Sequence, residues 1–258
     1  MIAYKRMPSS YRDGATYDRI SAPLERIGRE VLDRLSLEGT ETVLDAGCGS
    51  GRVTQALAER LPDGHVIGVD GSEEMIAAAR GRLGPEVELI VADLERLELG
   101  GRCVDAILST ATFHWIEDHE KLFRRLRSVM RPGAQLVAQC GGEGNTPELL
   151  RATGAVGERA PFNAHLAGWP GPWNYATSQE TALRLERAGF TGIRTWLEPK
   201  PAPYEGLTQW LRTNALTAHT ARLPADLREP YIEAVAAELG ANAPTTYIRL
   251  NIDAIAAP

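Results

Sequence analysis

The chain has 258 residues, 43% of them hydrophobic and 24% charged, a balance that lets a core form without metal or disulfide staples. Its net charge of −6 speaks against a broad nucleic-acid footprint, which needs a face rich in Lys and Arg. No apolar run approaches the ~18 residues of a membrane span, and no apolar stretch follows Lys5 and Arg6 to make a secretory signal. The expectation is a cytoplasmic protein with a small-molecule ligand, no nucleic acid and no membrane. Oligomeric state is left open.

In chain order, Tyr11 and Tyr17 lie in a polar segment suited to folding over a ligand. Ile20, Leu24, Ile27, Val31 and Leu35 then form a helical stripe, with Pro23 fit for a first turn. Thr42–Leu44 reads as a strand, Arg52–Leu61 as a helix and His65–Val69 as a second buried strand. Ser72–Leu83 is a helix capped by Ser72, with Glu73 and Glu74 in the turn where acids suit the helix dipole. Val87–Val91 and Val104–Leu108 are further strands, and Asp118–Met130 a helix stopped by Arg131-Pro-Gly133 before the strand Gln135–Ala138. Gly141–Asn145 reads as a linker and Trp169-Pro-Gly-Pro-Trp173 as an irregular loop. Ser178–Ala188 is helical, Ile193–Leu197 extended, Gly206–Thr220 and Pro224–Leu239 helical, and Thr246–Ile252 a closing strand. Strands alternating with helices imply parallel pairing through right-handed crossovers, and ligands then bind beyond the carboxyl ends of the strands. Cys48, Cys103 and Cys140 sit in or beside apolar stretches without CxxC spacing, as small buried hydrophobes rather than a metal set.

The strongest local signal is Asp45-Ala-Gly47-Cys-Gly49-Ser-Gly51, between a strand and a helix. A dinucleotide fingerprint would need Gly where Arg52 stands, and a P-loop would need GK[ST], so neither phosphate motif fits. A carboxylate just before the glycines repels pyrophosphate but suits an ammonium. Asp70 closes the second strand, where an acid accepts ribose hydroxyls. Asp93 ends the third, placed for an adenine amino group, with Leu94 to pack on the ring.

This constellation resembles the class I S-adenosylmethionine-dependent methyltransferases. The matching segments are Val43-Leu-Asp-Ala-Gly-Cys-Gly-Ser-Gly51, Gly68-Val-Asp-Gly-Ser72 with Met75, Ala92-Asp93-Leu94 and Arg131-Pro-Gly133. The resemblance implies a Rossmann-like α/β fold: a doubly wound, mostly parallel seven-stranded sheet with a helical cap. The expected division is 1–36 as lid and helix, 37–145 as cofactor core, and 146–258 as completion of the sheet with cap helices. It implies S-adenosylmethionine contacts at Asp45, Gly47, Gly49, Asp70, Gly71, Met75, Asp93, Leu94 and Thr110.

Methyl transfer from a sulfonium is catalysed mainly by alignment and exclusion of water, so no catalytic triad is required. His114 is placed as a general base or a substrate ligand, and Trp115 as a pocket wall or core filler. Ala111–Trp115, with the Arg131 turn and the insertion at 206–239, resembles the trans-aconitate methyltransferase branch, which implies O-methylation of a small carboxylic acid. An arginine should then recognise the carboxylate, with Arg12, Arg52, Arg194 and Arg212 as candidates. Trp169, Trp173, Trp196, Tyr204 and Trp210 are equally compatible with a C- or O-methyltransferase of a phenolic or prenyl natural product. A non-catalytic cofactor-binding module is the remote alternative.

Overall fold

The computed structural model describes residues 26–201, 206–240, 243 and 246–258; Tyr11, Arg12, Tyr17 and Tyr204 lie outside them. A helical stretch over 26–32 (α1) leads into β1 (Thr42–Ala46), α2 (Arg52–Glu59), β2 (His65–Asp70), α3 (Glu73–Arg82) and β3 (Glu88–Val91). Then come β4 (Val104–Thr110), α4 (His119–Ser128), β5 (Met130–Gly141), α5 (Pro147–Gly157) and α6 (Asn163–Leu166). The chain ends with α7 (Ser178–Arg187), β6 (Phe190–Pro201), α8 (Leu207–Trp210), α9 (Thr217–Arg222), α10 (Ala225–Leu239) and β7 (Thr246–Ala256). Among the described residues, no helix is long and apolar enough to cross a membrane.

The seven strands run in the order β3-β2-β1-β4-β5-β7-β6. β1 pairs in parallel with β2 and β4, β2 with β3 and β4 with β5, whereas β7 lies antiparallel to β5. The chain crosses from β3 at one edge back to β4 beside β1, so order reverses between β1 and β4, the place where such sheets open a ligand crevice. Burial on both faces explains the near-continuous apolar strands. In β1, Val43 joins a core with Val31, Leu35 and Leu57, while Leu44 joins another with Leu122, Phe123 and Leu126.

Capping residues fix the helix starts. Ser72 accepts from the Met75 N–H at 3.2 Å, Asp118 from Lys121 at 2.9 Å and Thr177 from Glu180 at 3.0 Å. The expected helix end at Met130 moves back to Ser128. Register passes from Val104↔Met130 to Ala106↔Gln135, so Arg131–Ala134 bulge out of an already started β5 rather than preceding it.

The described residues divide into two compact units. One, carrying the sheet, comprises 26–143, 174–198 and 249–258; the other comprises described residues within 144–173 and 199–248 and is helical. The helical unit packs α5, α10 and the 207–222 turns around Leu149, Val156, Leu211, Tyr231 and Val235.

Candidate active site

The glycine turn is tied to the sheet by backbone. The Gly47 and Cys48 N–H groups donate to Val69 O at 2.8 and 3.0 Å, bringing the end of β1 against β2. Gly47 has φ +89, and a Cβ there would fall 2.1 Å from Thr112 Oγ1 and 2.3 Å from its Cγ2, so only glycine fits. Thr112, past the end of β4, donates to Gly47 O and Thr110 O at 3.3 and 3.0 Å. Gly49 differs: at φ +54, a Cβ would meet nothing within 4 Å among the described residues. The backbone there faces open space, and only the absence of a side chain keeps that space available.

Two acids converge on this turn. Asp70, at the end of β2 and 6% exposed, accepts from the Gly49 N–H at 3.0 Å through Oδ2 and from the Ser72 N–H at 2.9 Å through Oδ1. Asp45, 1% exposed, points from β1 toward α2, where its Oδ2 accepts from Thr54 Oγ1 at 2.7 Å. Its other oxygen, Oδ1, is buried without a hydrogen-bond partner among the described residues. Burial raises its pKa to about 7, the Asp70 charge adds to this, and the Thr54 bond opposes it. An orphaned buried carboxylate oxygen is costly in isolation and is relieved by a donor or cation from a ligand.

The other expected contacts are less gathered. Gly71 is exposed in the turn between β2 and α3, and Met75 is half-buried in the first turn of α3. Asp93 is exposed at the end of β3, where its Oδ1 caps the turn Leu94–Arg96 by accepting from Glu95 N–H at 2.9 Å. Leu94 is 6% exposed and packs into the sheet core. Thr110 is half-buried at the end of β4.

Beyond β4 the chain turns sharply through Ala111, whose φ of +55 is a strained value for a residue with a Cβ. Its N–H donates to Gln139 O at 2.7 Å. The turn Phe113–Trp115 follows, with Phe113 in the core and His114 8% exposed. His114 Nδ1 accepts from the Gly141 N–H at 3.1 Å. That bond places the ring proton on Nε2, and burial, with the charge of Arg249 and then of His119, lowers the imidazole pKa to about 3. His114 is therefore held as a neutral imidazole with its Nε2–H as a donor. Trp115 and Tyr175 lie 5.1 and 6.0 Å from its ring. Asn174 fastens this turn: its N–H donates to His114 O at 2.8 Å and its Nδ2 to Glu117 O at 2.9 Å.

Three of the nominated arginines lie among the described residues. Arg52 is half-buried at the start of α2; Arg194 is exposed and stacks over Trp196 at 4.8 Å; Arg212 pairs with Glu229 in the helical unit. Trp169 and Trp173 ring His219, which stacks on Tyr231, and Trp210 is also buried in that unit. The cysteines are free; burial raises the Cys48 pKa and pushes Cys140 up to about 12, so neither is a thiolate. Among the described residues no group of three His, Cys, Asp or Glu side chains could hold a metal ion. Arg249, absent from the sequence-based candidates, is buried beside His114.

Fold and site define a doubly wound α/β protein whose glycine turn and strand-end acids suit a nucleoside bearing an amino-acid tail. S-adenosylmethionine fits on two observations: the orphaned Asp45 oxygen and the opening that a Cβ at Gly49 would enter. A family model described as a methyltransferase domain matches residues 43–133. The trans-aconitate 2-methyltransferase of Variovorax paradoxus is 32% identical over 231 residues, 84% of this chain and 85% of that protein. A malonyl-[acyl-carrier protein] O-methyltransferase of Geobacter sulfurreducens is 28% identical over 218 residues, covering 83% and 80%. The phosphoethanolamine N-methyltransferase 2 of Haemonchus contortus superposes with a TM-score of 0.66 at 17% identity, covering all of this chain and 61% of that one, a likeness of fold. The chain belongs to the class I S-adenosylmethionine-dependent methyltransferases, in the trans-aconitate methyltransferase branch.

Proposed function

We propose that the enzyme methylates a carboxylate oxygen of a small organic acid. The observation that carries this reading is the state of His114: with Nδ1 engaged by Gly141 and a pKa near 3, the turn offers a hydrogen-bond donor where a base would otherwise be expected. An ionised carboxylate has no proton to lose, so it needs alignment and a donor but no base. S-adenosylmethionine, when bound, supplies a methyl group on a sulfonium that departs as a neutral thioether. Asp70 would hold the ribose hydroxyls and Asp45 would lie toward the amino end, while Gly47 shapes the turn and Gly49 leaves room for the tail. Gly71, Met75, Thr110 and Asp93 would complete the wall, with Trp115 toward the acceptor. The similarity to proteins named for trans-aconitate and malonyl-carrier methylation supports an acid acceptor. The enzyme would act in the cytoplasm on a diffusible substrate.

The aromatic rings of Trp115 and Tyr175 beside His114 favour a second reading, a planar phenolic acceptor. Transfer of labelled methyl to a panel of small acids and phenols separates the two. Methyl esters release labelled methanol in mild alkali; aryl ethers do not. Label stable to alkali would overturn the carboxylate reading.

A further inference from the structure

The β5–β7 pair carries a polar column on the face that looks toward α1. At its inner end Arg34 pairs with Asp253 at 3.0 Å and donates to Asn251 Oδ1 at 2.5 Å and Ala138 O at 2.8 Å. One step along, Gln139 donates to the same Asn251 oxygen at 2.8 Å, and Asn251 donates to Glu198 at 3.3 Å. One step further, at the carboxyl end of β5, stands Arg249, in register with Gly141 and 5% exposed. Gly141 is the residue whose N–H fixes His114. A buried guanidinium thus lies next to a neutral imidazole whose remaining nitrogen carries a proton. Both stand at the strand ends where ligands of this fold bind.

We propose that Arg249 and the Nε2–H of His114 form a two-point clamp for a carboxylate of the methyl acceptor, a site that rests on the carboxylate reading given above. The chemistry suits the pair. A guanidinium presents two parallel N–H groups to one carboxylate, and a further donor adds direction without adding a titrating charge. The antiparallel turn of β7 is what delivers this cation. A parallel strand would bring residue 249 to the opposite end of the sheet.

The test titrates trans-aconitate, as the probe acid, into protein saturated with S-adenosylhomocysteine, by calorimetry. The wild-type chain is compared with Arg249→Gln, Arg249→Lys, His114→Asn and His114→Gln, and S-adenosylhomocysteine affinity is measured for each. His114→Asn keeps an acceptor for the Gly141 N–H but loses the outer donor; His114→Gln keeps a donor near Nε2. Arg249→Gln and His114→Asn are expected to weaken acid binding by about tenfold or more, with His114→Gln and Arg249→Lys recovering part of it. Nucleoside affinity should stay within about twofold throughout. Wild-type binding that Arg249→Gln and His114→Asn leave intact overturns the clamp while sparing the carboxylate reading. Failure of the wild-type chain to bind trans-aconitate, citrate or malonate removes that reading and the clamp with it. If Arg249→Gln does not fold, the Asn/Gln pair at His114 decides the matter alone.

Discussion

Replacing Gly47 and Gly49 singly by alanine separates a glycine that the fold requires from one that the ligand requires. At Gly47 the new methyl would lie 2.1 Å from Thr112 Oγ1 and 2.6 Å from Thr112 Cβ, in a backbone with φ +89. The left-handed conformation costs about 1–2 kcal/mol and forced overlap typically about 1–3 more, so Gly47→Ala should lose about 2–5 kcal/mol. That is a large part of a total stability of roughly 5–15 kcal/mol. At Gly49 the methyl meets nothing among the described residues, so only the conformational cost of about 1–2 kcal/mol applies, offset by about 0.4–1 from a stiffer unfolded chain. Urea denaturation should therefore find Gly49→Ala nearly as stable as wild type, while calorimetry finds its S-adenosylmethionine affinity reduced by about tenfold or more. Thr112→Gly, which removes all three clashing atoms, should return the overlap share of the Gly47→Ala loss but not the conformational share. A Gly49→Ala protein that binds cofactor normally, or a Gly47→Ala protein of wild-type stability, refutes this reasoning.

Asp70→Asn keeps the shape but turns one acceptor into a donor facing either the Gly49 or the Ser72 N–H. Cofactor affinity should fall by about 1–3 kcal/mol, read by calorimetry. Asp45 has a folded pKa of about 7, above its unfolded value near 3.8. Its contribution to apo-protein stability is fully present below about pH 4 and is lost as pH rises through about 7, a slope that Asp45→Asn should abolish in denaturation curves. Binding an ammonium near that carboxyl should release protons near pH 6–7, visible as buffer-dependent binding heats. His114, held neutral down to about pH 3, should contribute no inflection to kcat/KM between about pH 5 and 8. Truncating Arg34 to alanine leaves Asp253 and the Ala138 carbonyl without their donor, while Asn251 keeps its bond from Gln139; a loss of about 1–3 kcal/mol is expected by denaturant titration.

The gathering of Asp45, Gly47, Gly49 and Asp70 at neighbouring strand ends was legible in sequence because it is local. Asp45 lies near the end of β1 with Gly47 and Gly49 just beyond it, and Asp70 is the last residue of β2, so strand ends alone place them. Ser72 was legible as a cap for the same reason, whereas Asp118, read as helical, caps its helix from just outside. Asp93 stands at the expected strand end, yet its carboxylate also caps its own turn, and Leu94 turns inward, a choice that only packing settles. Helix α5 went unassigned although Pro147 starts it and Leu149, Ala152 and Val156 repeat at helical spacing. The expected continuous helix over Gly206–Thr220 breaks into Leu207–Trp210, a π turn at Leu211–Ala215 and Thr217–Arg222. Within that stretch Thr213 donates to Gln209 O at 2.9 Å and Thr220 to Leu216 O at 3.0 Å, threonine side chains competing for helix carbonyls. Arg249 was invisible because its neighbourhood with His114 depends on the antiparallel register of β7 against β5, which no local pattern encodes.

A crystal structure of the protein with S-adenosylhomocysteine tests the cofactor pocket directly. The account predicts both ribose hydroxyls on the Asp70 carboxylate and the amino-acid tail passing Gly49 toward Asp45. A nucleoside bound elsewhere, or one whose ribose leaves Asp70 untouched, contradicts it.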